Sequence, residues 1–409
     1  MLGLRRTAVP CGTALQTGEQ TIIQLSHLQI PRRLRLQCYF TRLTATLQSG
    51  ILPCAASKRG RSDRTATPFR DRIYLGKNDG GPMHTTGLKT FRLALIAALM
   101  SGFGQEAVAQ DKVRVDVFPT ASSLPYFVAI ERGFFKEQNI EPETIRLIGG
   151  PPNIAAMISN QIEAAVVLVT IEAMNANLKK PGVAMYVGVH SQNKTYQMEQ
   201  FVVRKGYAAD SIKDLKGARI MSAPGPANVV AAKAVLAKAG LKEGDYSIDQ
   251  LDMAQHVNVM TSGTFDAGYT LEPQASTMRK LGVARTLEAG VIAKYILDDE
   301  NGDAFAAGCA ITGDFIRSRP DVARRFAAVW KKAIHFVNDD PQEARKYLAK
   351  NTLTPEDVID TVPMVRYYAA DELSARHRAE FQKFIDFFTA AGTLPEKVDI
   401  TRYLQAYQE

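Results

Sequence analysis

The chain has 409 residues and 46% apolar composition, which excludes bulk disorder and allows two domains around a large core. Its formal charge of +8 would fit a nucleic-acid or anionic membrane partner only if the charge lay on the folded part. Residues 1–82 hold 13 Lys and Arg against four Asp and Glu, whereas residues 110–409 hold 35 against 37, so a nucleic-acid partner is not expected.

Residues 1–82 lack hydrophobic periodicity and are biased toward Arg, Ser, Thr, Pro and Gly, a composition with no core to bury. From Met83 the chain reads MHTTGLKTFRLALIAALMSGFGQEAVAQ. Lys89 and Arg92 precede an apolar stretch from Leu93 to about Phe103, and Ala107-Val108-Ala109 stands before Gln110. That order is a secretory signal peptide over 83–109 with a small-x-small cleavage site, and the stretch is shorter than the roughly 20 residues of a membrane span. A signal peptide begins its chain. The expectation is therefore translation from Met83, with 1–82 a misannotated, disordered upstream extension and a periplasmic mature form starting near Gln110. An organellar transit peptide competes for the leader, and a buried helix for the apolar stretch. Cys11, Cys38 and Cys54 lie in that leader, leaving Cys309 alone, so no intramolecular disulfide, zinc site or cofactor is expected.

Val113 to Phe118 alternates as a strand, Pro119 to Pro125 reads as a loop, and Tyr126 to Phe135 has helical spacing. A second unit follows, with strand Glu143 to Ile148, loop Gly149-Gly150-Pro151-Pro152 and helix Asn153 to Asn160, where proline suits the first turn. Ala164 to Val169 is a continuous apolar strand, Ile171 to Leu178 a helix, and Val183 to Val189 another strand. The pattern restarts with strand Ala218 to Ser222, loop Ala223 to Pro226, helix Ala227 to Ala239 ended by Gly240, and strand Ile248 to Met253. After Phe305 to Ile311 the chain reads as helices at Val322 to Val337, Pro341 to Ala349, Pro355 to Ile359 and Ser374 to Ala390. Strands alternating with helices predict parallel sheets covered on both faces. The expected division is a discontinuous lobe I at 111–200 plus 305–409 and a lobe II at 201–304.

Four segments in register over about 160 residues resemble the type 2 periplasmic binding proteins of the nitrate/sulfonate/taurine group. They are SSLPYFVAIERGFFKEQNIEPE (Ser122 to Glu143), AAMISNQIEAAVV (Ala155 to Val167), SIKDLKGARIMSAPG (Ser211 to Gly225) with KAGL (Lys238 to Leu241), and GTFDAGYTLEP (Gly263 to Pro273). Read alone, Gly133-Phe134-Phe135 is a helix cap with a buried aromatic pair and Asp214 to Gly217 a turn into a strand, so these stretches identify a fold rather than a ligand. The resemblance implies a two-lobed α/β fold, each lobe a mainly parallel sheet flanked by helices, with a helical C-terminal region and a ligand cleft shut by hinge closure.

Ligands of open α/β sheets sit beyond the carboxyl ends of strands, which selects the loops after strands. Ser122 and Ser123 either donate to a ligand or cap the helix starting near Leu124, and Tyr126 is a further candidate ligand contact. Gly150 allows backbone approach or makes a plain turn. Thr170 leaves the third strand, His190 and Ser191 end the fourth, Ala227 and Asn228 open the lobe II helix, and Glu272 ends a strand before Pro273. Anion binders of this group commonly place Ser or Thr after the lobe II glycine, where hydroxyl and helix N–H groups hold an oxyanion together. Here Pro226-Ala227-Asn228 follows Gly225, and each proline removes a donor. A larger carboxylate or aromatic organic molecule therefore competes with a simple oxyanion.

The resemblance implies the solute-binding component of an ABC importer, a monomer that delivers its small-molecule ligand to an inner-membrane permease without altering it. Two alternatives share the fold: an enzyme similar to the synthases of a thiamine pyrimidine precursor, and a periplasmic sensor. No nucleophile-elbow motif, phosphate-binding glycine loop or metal-binding histidine pair favours the enzyme.

Overall fold

A computed structural model describes residues 109–352 and 354–407, all within one compact unit. The proposed extension 1–82 and all of the signal peptide except Ala109 lie outside the described residues. No helix among the described residues is long and apolar enough to cross a membrane.

Two mixed sheets organise the unit. The larger has six strands in the order β11-β4-β10-β3-β1-β2, with β1 Asp111–Asp116, β2 Ile140–Ile145, β3 Ala164–Val169, β4 Met185–Gln192, β10 Ala304–Ile311 and β11 Arg366–Ala369. The smaller runs β7-β6-β8-β5-β9, with β5 Glu199–Arg204, β6 Arg219–Ser222, β7 Ser247–Gln250, β8 Ala267–Leu271 and β9 Ala284–Ala289. The expectation of mainly parallel sheets is corrected here. β1 runs parallel to β2 and β3, and β6 runs parallel to β7 and β8, but β10 is antiparallel to both of its neighbours and so is β5. The physical reason is the connectivity. β5 and β10 are the first strands laid down after the chain crosses from one sheet to the other, and each enters its sheet from the cleft edge where the parallel strands end.

Four helices position the site. α1 (Leu124–Glu131) follows β1, α2 (Gly150–Ile158) follows β2, α3 (Thr170–Lys179) follows β3, and α4 (Pro226–Lys238) follows β6. Each begins at the carboxyl end of a parallel strand. The expected helix Tyr126 to Phe135 is broken by Gly133, whose φ of 75° ends one helical run before Phe134 starts the next. The C-terminal region adds α5 (Pro320–Asp339), which buries Phe326, Trp330 and Ile334 along one stripe, and α6 (Ala375–Ala390), capped by Ser374. Phe381, Phe384 and Phe388 of α6 share one apolar cluster with Phe201 and Tyr269 of the smaller sheet and Tyr186 and Phe305 of the larger, so the two sheets are joined by a continuous core.

The two crossings, 193–198 and 290–303, touch. Gly290 takes a φ of 66°, and a Cβ there would lie 2.9 Å from the Asn193 carbonyl oxygen, so any side chain would push the crossings apart. Asp303 ties the same region together by accepting hydrogen bonds from Ser191 Oγ and Asn193 Nδ2.

Candidate functional site

Between the two sheets lies a cavity of about 60 Å3, room for a few waters at roughly 10–15 Å3 each. Its walls come from strand ends of both sheets. Phe118, Thr120 and Ser122 follow β1, while Gly149, Gly150 and Asn153 follow β2. Ile171 and Glu172 open α3, and His190 lies near the end of β4. The opposite wall is Met198 and Glu199 at the start of β5, Pro224, Ala227 and Asn228 after β6, and Tyr269 and Leu271 on β8. The antiparallel strands β5 and β10 contribute Glu199 and, from β10, Ala306 and Ala307; these N-terminal parts lie at the edge where the parallel strands finish.

The two sides meet at glycines. The Cα of Gly225 lies 3.7 Å from the position a Gly149 Cβ would take, and both residues have left-handed φ angles, 98° and 84°. Gly150 is hemmed in from its own side, since a Cβ on it would coincide with the Glu172 carboxylate. Both oxygens of that carboxylate are buried without a hydrogen-bond partner. Burial raises its pKa, and the Ala227 N–H beside it pulls the other way. Glu172 of the larger sheet's α3 thus faces the N-terminus of α4 on the smaller sheet, where the helix dipole favours negative charge.

Further groups on the lining lack partners. Glu199 is 8% exposed and its Oε2 is unsatisfied; burial pushes the carboxyl up to about 7, against the pull of the neighbouring Gln192. The Tyr269 hydroxyl and Asn153 Oδ1 are also buried and unpaired. His190 is depressed by burial to about 4, which keeps it neutral with one donor and one acceptor, and it packs edge-on against Tyr367. An unmet buried polar group costs roughly 1–3 kcal/mol, so several on one cavity mark a place where something else completes them.

Of the residues singled out by sequence, Ser122, Gly150, His190, Ala227 and Asn228 line this cavity. The other five are spent elsewhere. Ser123 Oγ donates to the Phe118 carbonyl and makes no helix cap. The Tyr126 hydroxyl pairs with Thr144 Oγ1 at 2.7 Å, and its ring packs against Phe135. Thr170 Oγ1 donates to the carbonyls of Phe305 and Ala306, pinning α3 to β10. Ser191 is held by Asp303. Glu272, fully buried, accepts from Gln200 and from the Ser276 N–H and pairs with Arg279 at 3.0 Å, which stabilises the charge at the start of the following helix.

Sequence reasoning missed Glu172, Glu199, Tyr269 and Asn153. Glu172 stands two residues beyond Thr170 at the start of α3, so the loop rule came close to it. Glu199 begins an antiparallel strand, and a rule about carboxyl ends passes over strand beginnings. Among the described residues no group of three or more His, Cys, Asp or Glu is placed to hold a metal ion.

The family model described as NMT1/THI5 like matches residues 120–344. The chain is 24% identical over 319 residues to YtlA of Bacillus subtilis (strain 168), named as a binding protein, covering 74% of this chain and 90% of that one. The fold is shared with the alkanesulfonate-binding protein SsuA from Xanthomonas axonopodis pv. citri, solved bound to MOPS. That likeness has a TM-score of 0.57 at 20% identity and covers 73% of this chain and 98% of that one. The desulfurization enzyme DSZB also shares it, with a TM-score of 0.55 at 16% identity over 72% of this chain and 96% of that one.

Proposed function

Because this chain belongs to the NMT1/THI5-like family, we propose that it is the extracytoplasmic solute-binding component of an ABC importer, capturing a small molecule between its lobes and passing it to a membrane permease. The observation that carries this reading is the cavity at the sheet edges, which is walled by both lobes and carries polar groups with no partner in the protein. With about 60 Å3 free, the cavity has to widen to take an organic solute, and in this reading the lobes part at the two crossings to provide the space. Periplasmic location and action as a monomer belong to the same proposal.

DSZB favours a second reading, an enzyme on this fold. Catalysis there needs a nucleophile or an acid–base pair at the cavity. Cys309, the cysteine of the described residues, is buried within β10, and the cavity lining does not include it. We favour carriage over chemistry because the relative YtlA is named as a binding protein, although Glu199, His190 and Ser122 do line the cavity. A thermal-shift series over small solutes tests this, because a ligand at 100 times its Kd adds about 2.7 kcal/mol of stability. Stabilisation with the solute recovered intact supports transport, and recovery of an altered solute supports the enzyme.

A further inference from the structure

The cavity's chemistry is lopsided. The residues that line it include two glutamates and neither Lys nor Arg. Its unmet groups are mainly acceptors: Glu199 Oε2, Asn153 Oδ1 and the two Glu172 oxygens, whose one nearby donor, the Ala227 N–H, lies outside good hydrogen-bond geometry, with the Tyr269 hydroxyl as the unpaired donor. His190 adds no positive charge, being neutral in its buried setting.

The N-terminus of α4 would be the natural anion cradle on this wall, and several of the donors there are already used or missing. Pro226 has no N–H. The Gly225 N–H donates to Gln250 Oε1 at 2.9 Å, and Asn228 Nδ2 donates to the Pro224 carbonyl at 2.7 Å. The Ala227 N–H faces the Glu172 carboxylate. A sulfonate or carboxylate brought to this place would meet the protein's own carboxylate and find no cation to balance it, a like-charge contact made costly by the low local dielectric.

We propose that the cleft selects small organic cations, such as amidinium or ammonium compounds, whose N–H groups bond Glu172 and Glu199 while their apolar bodies lie against the hydrophobic wall. That wall is Phe118, Val169, Leu271 and Phe384, and the Tyr269 ring beside it is a face for cation–π contact. Glu172 acts from the larger sheet and Glu199 from the first residue of the smaller sheet's β5, so one cation between them draws both lobes together. In its absence Glu172 occupies the end of α4 and keeps oxyanions out. This assignment rests on the reading of the chain as a solute carrier.

The test is calorimetry and thermal shift on the full chain with three probes of one size: benzamidinium, neutral benzyl alcohol and benzoate. Benzamidinium is expected to raise the melting temperature and to bind at least about tenfold more tightly than benzoate. Glu199→Gln and Glu172→Gln, isosteric and each relieving a buried carboxylate, are expected to fold as the parent does and to lose about tenfold in benzamidinium affinity. Stabilisation by benzoate, no response to benzamidinium at millimolar concentration, or undiminished benzamidinium binding by both variants would overturn the proposal. Those outcomes leave the carrier reading intact. Chemical alteration of a bound probe would instead remove the carrier reading while the charge preference stood.

Discussion

The β-carbon that Gly150 lacks would occupy the place of the Glu172 carboxylate. Gly150 is therefore a packing requirement of Glu172, and the two residues form one unit facing α4. Gly150→Ala forces only the carboxylate end of the flexible Glu172 side chain to move, so it is expected to destabilise the protein by about 1 kcal/mol, the low end of the cost of overpacking. Combining it with Glu172→Ala, which vacates the space, should recover most of that loss. Urea denaturation followed by Trp330 fluorescence, the sole tryptophan of the chain, measures both. Additive losses in the double variant would contradict the coupling.

The buried carboxyl of Glu199 and imidazole of His190 titrate with opposite consequences. Glu199 is raised from 4.5 to about 7, so between those values the folded state holds a proton that the unfolded state has released, and stability falls as pH rises through this window. His190 is lowered from 6.5 to about 4, so the unfolded state binds the extra proton and stability falls as pH drops from 6.5 toward 4. Relative to the parent, Glu199→Gln should be most favoured at and above pH 7, by at most about 3 kcal/mol, and should converge with it near pH 4.5. His190→Gln should show the reverse trend, gaining on the parent as the pH falls below 6.5. Urea midpoints from pH 4.5 to 7.5 check both, and a difference that stayed constant with pH would count against the assignment.

Glu272 holds Arg279 and the start of the helix after β8 without touching the cavity. Its removal leaves a guanidinium 31% exposed and without this carboxylate. Glu272→Ala is expected to cost about 3 kcal/mol, the low end for breaking a buried pair because Arg279 keeps partial access to water. Chemical denaturation gives the loss, and probe affinity measured below the melting temperature should stay near that of the parent.

Gly188 on β4 faces Trp330 of α5. A Cβ there would lie 2.7 Å from the indole Nε1 and 3.0 Å from the Tyr368 carbonyl oxygen. Gly188→Ala should therefore displace α5 from the larger sheet, with a loss of about 1–3 kcal/mol and a shifted Trp330 emission maximum. An unchanged spectrum and stability would show that the contact gives way freely.

Much of this architecture was legible in the sequence, for identifiable reasons. Ala164 to Val169 is buried on both faces, so its apolar run marks β3 end to end. α4 is bounded by Pro226 and Gly240, both local signals. β2 came three residues earlier than expected because it is an edge strand, and Ile140-Glu141-Pro142-Glu143 exposes polar side chains that hide the period. β9 and β11 are also edge strands, β11 of only four residues, and neither carries an alternation long enough to read. In the cleft, the loops after β1, β2 and β6 were predictable and supplied Ser122, Gly150, Ala227 and Asn228, and the end of β4 supplied His190. Glu199 was not, because the direction of β5 is set by pairing with β8 and β9, a long-range fact that no window of sequence contains.

The account rests on a solute drawing the two lobes together. Spin labels at Ile148→Cys on the larger lobe and Leu281→Cys on the smaller, both exposed, report their separation in the full chain carrying Cys11→Ser, Cys38→Ser and Cys54→Ser, with Cys309 shielded by burial. Pulsed electron–electron resonance should give a broad distribution with longer distances in the free protein and one shorter, narrower distance with saturating benzamidinium. A single distance that does not change on adding a solute that demonstrably binds would contradict it.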